Sequence, residues 1–162
     1  MRWVLRQTVG ISEMIVSNNV DDILITYSLG SCIGLTLYDP VMRIGGLIHC
    51  MLPHSQTDKD KSATSPCMFV DTGVAALLRS LFDRGVTRKN LIAKVAGGSN
   101  LLDDKEIFKI GERNYTMMRK ILWKNDILIR AEDVGGSHPR TMSLQISDGK
   151  TFIRAGGADI EL

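Results

Sequence analysis

Hydrophobic and polar positions divide the chain by period. In the first half, short runs rich in β-branched residues alternate with polar turns. Gly10 to Val16 and Ile23 to Tyr27 read as strands, with Asn18-Asn19 and Asp21-Asp22 as turn signals between them. Ser31 to Asp39 and Ile44 to Leu52 form a second pair, and the loop Pro40-Val41-Met42-Arg43 makes them a hairpin. Met68 to Arg84 changes to helical spacing, with Val70, Val74, Leu77, Leu78 and Leu81 on one face and Gly85 as a stop. Leu91 to Ala96 is a strand ending at Gly97-Gly98-Ser99-Asn100. Glu112 to Lys124 is a second amphipathic helix that buries Tyr115, Met118, Ile121 and Leu122. Ile127 to Val134, Thr141 to Ile146 and Thr151 to Arg154 are further strands. The segment Pro53 to Pro66 is polar throughout and reads as a long connection without structure, bordering whatever site His49 serves.

This order predicts a single α+β domain over residues 1–162: a layered α/β sandwich with largely antiparallel or mixed sheets and two main helices. Composition adds limits. Lys+Arg total 20 against 18 Asp+Glu, and no basic stripe forms, which argues against nucleic-acid binding. No apolar run reaches the ~20 residues of a membrane span. Charge breaks the N-terminus too early for a signal peptide, so the expected location is the cytoplasm, without membrane insertion. Cys32, Cys50 and Cys67 are odd in number and lack CxxC spacing, which argues against a disulfide framework.

The hairpin register brings chemistry together. If Asp39 pairs with Ile44, then Gly34 faces His49 and Cys32 faces Met51. Side chains alternate along a strand, so Cys32 and His49 share a face as diagonal neighbours, with Cα atoms about 7–8 Å apart. The opposite face carries Ile33, Leu35, Leu37, Ile48 and Cys50, a coherent apolar stripe. A thiol titrates near pH 8.5 and is a weak nucleophile until a base takes its proton. His49 supplies that base, leaving a thiolate beside an imidazolium that can protonate a departing amine. Thr26 is the candidate to orient the ring. Gly30 gives room and a bend before the nucleophile, Ser31 adjoins the substrate, and the Cys32 N–H is an oxyanion donor. A structural role for Cys32 stands beside this reading, because free cysteine is among the most buried residue types. A metal site built from Cys32, His49, Cys50, His54 and Cys67 matches no zinc spacing. No metal or organic cofactor is expected.

Leu29-Gly30-Ser31-Cys32, Gly45-Gly46-Leu47-Ile48-His49 with Met51-Leu52-Pro53, Ala93-Lys94-Val95-Ala96-Gly97-Gly98, Ile110-Gly111-Glu112-Arg113-Asn114 and Ala131-Glu132-Asp133-Val134-Gly135-Gly136 occur in this order. Together they resemble the chemoreceptor glutamine deamidases of bacterial chemotaxis, the CheD family, over nearly the whole chain. The resemblance implies a fold like that of a deamidating toxin (CNF-like). It implies Cys32 as nucleophile, with His49 and Thr26 completing the site. The implied activity is a cysteine-dependent amidohydrolase converting glutamines of methyl-accepting chemoreceptors to glutamate, acting on their cytoplasmic region. It also implies, for some members, a CheC-type phosphatase partner. A binding module that stimulates such a phosphatase is the alternative reading, and a redox sensor built on Cys32 a further one. The chain departs from the family pattern at Phe69, where a tyrosine hydroxyl near substrate is usual, and at Pro139.

Overall fold

Two five-stranded sheets carry the fold in the computed structural model, which describes residues 3–100 and 109–162. The strands are β1 (Leu5–Thr8), β2 (Glu13–Ser17), β3 (Asp22–Leu29), β4 (Ile33–Asp39), β5 (Ile44–Cys50), β6 (Ile92–Gly97), β7 (Ile129–Val134), β8 (Arg140–Gln145), β9 (Thr151–Arg154) and β10 (Asp159–Glu161). The helices are α1 (Lys59–Thr64), α2 (Val70–Asp83) and α3 (Ile110–Lys124). The central sheet runs β2-β5-β4-β6-β7 and the outer sheet β1-β3-β8-β9-β10. Most pairings are antiparallel; β1–β3 and β6–β7 are parallel.

Residue alternation dictates the layering. Every residue of β4 and β5 is buried, as expected of strands covered on both faces. Ile33, Leu35, Leu37, Ile48 and Cys50 form one core with Val74, Leu77 and Leu81 of α2 and Met118 and Leu122 of α3. Tyr38 and Leu47 point the other way and pack with Leu24, Leu29, Met142 and Leu144 of the outer sheet. The result is a helix–sheet–sheet sandwich. Each of those leucines contributes about 1.5–3 kcal/mol by leaving water. Gly46 shows how tightly the layers meet, because a Cβ there would come within 2.6 Å of Leu77 Cδ1.

The hairpin has the expected register, with Asp39 opposite Ile44 and Gly34 opposite His49. Asp39 sets the turn: its Oδ1 accepts from the Val41 N–H at 2.8 Å and the Met42 N–H at 3.2 Å. A one-residue slip of β5 would turn Ile48 and Cys50 away from the helical core and His49 into it, so packing on both faces holds the register.

Three expectations need correction. The polar segment 53–66 is structured. Asp58 caps α1 by accepting from the Lys61 N–H at 3.0 Å, and Asp71 of α2 accepts from the Ser55 hydroxyl at 2.7 Å. Polar capping holds it, and α1 buries no residue, so hydrophobic periodicity carried no trace of it. Edge strands β1 and β10 escaped for a similar reason, since both are almost wholly exposed. Helix α2 starts at Val70 rather than Met68, after a short 3-10 turn over Pro66–Met68.

Candidate active site

Thr26 and His49 come from different sheets and meet between them. Thr26 lies on β3 of the outer sheet and His49 on β5 of the central sheet, and both are fully buried. Thr26 Oγ1 and His49 Nδ1 are 2.7 Å apart. The hydroxyl also donates to the Val9 carbonyl at 2.7 Å. A hydroxyl has a single proton, and a carbonyl can only accept it. Thr26 must therefore accept from His49, which places the ring proton on Nδ1. In the neutral ring Nε2 then carries the free lone pair. Nε2 is buried and has no hydrogen-bond partner among the described residues.

Cys32 sits where the chain crosses from the outer sheet to the central one, just before β4. Its half-buried side chain packs against the inter-sheet core, the layer into which His49 points. Cys50, one residue after His49, faces the helices and is fully buried. The alternation expected from sequence thus places thiol and imidazole in one layer and keeps His49 and Cys50 on opposite faces, unsuited to a shared metal. The left-handed residue of the crossover is Ser28 (φ 60°) rather than Gly30.

Every carbonyl of the crossover is held. The Ser99 N–H donates to Gly30 O at 2.8 Å, Asn114 Nδ2 to Ser31 O at 2.8 Å, and the Gly98 N–H to Cys32 O at 2.8 Å. The last contact requires glycine at 97, because a Cβ there would stand 2.4 Å from Cys32 O. Behind this turn, the buried Arg140 donates to Ser99 Oγ at 2.6 Å and Gly135 O at 2.7 Å.

Burial decides the protonation states. It pushes the Cys32 thiol up, opposed in part by its own backbone N–H, and pushes His49 down to about 4. At neutral pH burial thus favours the uncharged form of both groups.

Asn114 and the Val9 carbonyl were not foreseen as parts of the site. Asn114 did carry a signal: Gly111, Asn114, Met118 and Leu122 make the buried stripe of α3, and an amide in an apolar stripe demands partners. His54 lies 3.6 Å from Asp71 and belongs to the α1–α2 region. Phe69 is fully buried within the fold, so its missing hydroxyl opens no surface position.

Comparison with known proteins adds to this geometry. Residues 51–155 match the family described as CheD chemotactic sensory transduction, a span that begins after Thr26, Cys32 and His49. A probable chemoreceptor glutamine deamidase CheD 1 of Syntrophus aciditrophicus (strain SB) is 49% identical over 152 residues, covering 94% of this chain and 95% of the relative. A probable chemoreceptor glutamine deamidase CheD of Solibacter usitatus (strain Ellin6076) is 44% identical over 154 residues, covering 95% of this chain and 91% of the relative. Among solved structures, the Bacillus licheniformis hypothetical protein YfiH aligns with TM-score 0.48 and 13% identity, over 82% of this chain and 60% of its own.

Proposed function

The chain belongs to the CheD family, and from that membership we propose that it deamidates glutamine side chains of chemoreceptors, with Cys32 as nucleophile, His49 as acid–base and Thr26 as the group that orients His49. The observation that carries the reading is the fixed tautomer of His49. Its free Nε2 lone pair lies in the layer that also receives the Cys32 sulfur.

The chemistry follows from two neutral groups. Cys32 Sγ attacks the side-chain carboxamide carbon as its proton passes to His49 Nε2. A C–S bond forms and the carbonyl π pair moves to oxygen. Collapse of this intermediate breaks the C–N bond, and the nitrogen leaves as ammonia with the proton from His49. Water then attacks the thioester while His49 takes its proton. Glutamate departs and the thiol is restored.

Free thiols at Cys32, Cys50 and Cys67 suit a reducing compartment, and no helix among the described residues is long and apolar enough to cross a membrane. The reading places the protein in the cytoplasm, acting on the cytoplasmic region of the receptor. Mass spectrometry of that receptor region, after incubation with wild type or Cys32→Ala, tests it. Wild type is expected to convert glutamine to glutamate and Cys32→Ala to leave it intact. Conversion by Cys32→Ala at the wild-type rate would reject the nucleophile.

A further inference from the structure

Asn114 is fully buried, yet it reaches two carbonyls at once. Its Nδ2 donates to Ser31 O at 2.8 Å and to Met51 O at 3.1 Å. Both neighbours can only accept, so the amide orientation follows from chemistry. Ser31 immediately precedes Cys32, and Met51 extends the strand that carries His49. One side chain therefore ties the nucleophile loop to the strand of its base.

A peptide unit is planar and trans, so its C=O and N–H point in opposite directions. Drawing the Ser31 carbonyl toward α3 turns the Cys32 N–H away from α3. The flanking Gly30 and Cys32 carbonyls are held by Ser99 and Gly98, so the peptide between them cannot flip without breaking several bonds. The Cys32 N–H belongs to the same residue as the attacking sulfur. An oxyanion formed by attack of that sulfur needs a donor in this place.

We propose that Asn114 is a positioning residue for the reaction: by gripping the Ser31 carbonyl it aims the Cys32 N–H at the developing oxyanion. The inference rests on Cys32 being the nucleophile. Asn114 itself touches neither substrate nor the reacting atoms. Its loss frees the Ser31–Cys32 peptide to rotate while the sulfur remains in the site.

Two rates on the same protein separate this role from simple structural support. Deamidation forms an oxyanion; alkylation of Cys32 by iodoacetamide does not. Asn114→Ala is expected to lower kcat for deamidation of a receptor cytoplasmic fragment by about 100-fold or more, the loss typical of one missing oxyanion donor. KM and the Cys32 alkylation rate should each stay within about threefold, and the similarly sized Asn114→Asp, measured above the pKa of its carboxyl, should behave alike. If Asn114→Ala does not fold, Asn114→Asp carries the test. Deamidation within threefold of wild type would overturn the proposal. So would equal losses of deamidation and alkylation, which would mean collapse of the whole loop. Activity in Cys32→Ala would instead sink the nucleophile assignment, so the two failures are distinguishable.

Discussion

Thr26 accepts a hydrogen bond from His49 across the sheet interface at 2.7 Å because its own proton is committed to the Val9 carbonyl. The tautomer of His49 is thus set by a backbone carbonyl two hydrogen bonds away. Thr26→Val keeps the shape but leaves the Nδ1–H buried without an acceptor, a cost of about 1–3 kcal/mol. Much of that loss can be relieved by moving the proton to Nε2, which removes the lone pair needed by Cys32. Thr26→Val is therefore expected to lower kcat/KM by about 10- to 100-fold, whereas Thr26→Ser, which keeps the hydroxyl, should retain activity within about threefold. Steady-state ammonia release from a receptor fragment measures both.

The pKa of His49 makes a pH prediction with a definite sign. Burial lowers it to about 4 in the folded protein, against an ordinary value of 6.5 when unfolded. Between these values the unfolded chain binds more protons, so folded stability rises with pH. The His49 contribution is complete above about 6.5 and is progressively lost as pH falls toward 4, by about 3 kcal/mol in all. Urea unfolding of wild type and His49→Asn at pH 7.5 and pH 5 should show wild type losing more stability on acidification. A neutral imidazole persisting to about 4 also places the acid limb of kcat/KM there. Thiolate absorbance of Cys32 should appear only above the usual thiol range, since burial raises that group; absorbance already present at neutral pH would restore the resting ion pair.

The hairpin that brings Cys32 and His49 into one layer was legible in sequence because its apolar stripe has a strict period of two. Ile33, Leu35, Leu37, Ile48 and Cys50 all face the helices, and a one-residue slip of either strand would have split that stripe between the two core layers. The contact to Thr26 was legible only as chemistry, since it depends on how one sheet lies on the other. Asn114 was legible only as an amide in an apolar stripe that needed partners; which carbonyls it satisfies, those of Ser31 and Met51, the sequence does not say. The same limit hid α1, which is held by the Asp58 cap and by Asp71 rather than by buried side chains.

Gly97 and Gly156 share a positive φ, 108° and 114°, but have different surroundings. A Cβ at Gly97 would stand 2.4 Å from the Cys32 carbonyl, whereas at Gly156 it would meet nothing within 4 Å. Alanine at either position pays backbone strain of about 1–3 kcal/mol. Only Gly97→Ala must also push the Gly30–Cys32 crossover away. Gly156→Ala is expected to lose stability but keep its deamidation rate. Gly97→Ala should lose more stability and most of its activity, as read by thermal unfolding and glutamate formation in the same samples.

Arg140 joins the two sheets behind the Gly30–Cys32 crossover. It starts β8 of the outer sheet, and its guanidinium bonds Ser99 Oγ and Gly135 O, with Asp133 Oδ2 at 3.3 Å from Nε. Its side chain is almost wholly buried, while Asp133 is 43% exposed, so the ion pair itself is partly screened. The larger loss on Arg140→Ala comes from the acceptors left without a donor in the interior. An expected cost of about 2–4 kcal/mol follows, and Arg140→Lys should recover little, because one ammonium cannot reproduce the planar fork. The turn it secures supplies the Ser99 and Gly98 N–H groups that hold Gly30 and Cys32. Activity should therefore fall even at temperatures where the variant remains folded. Circular dichroism and deamidation rate measured side by side check both, and full activity in folded Arg140→Ala would show that the crossover holds its shape without this support.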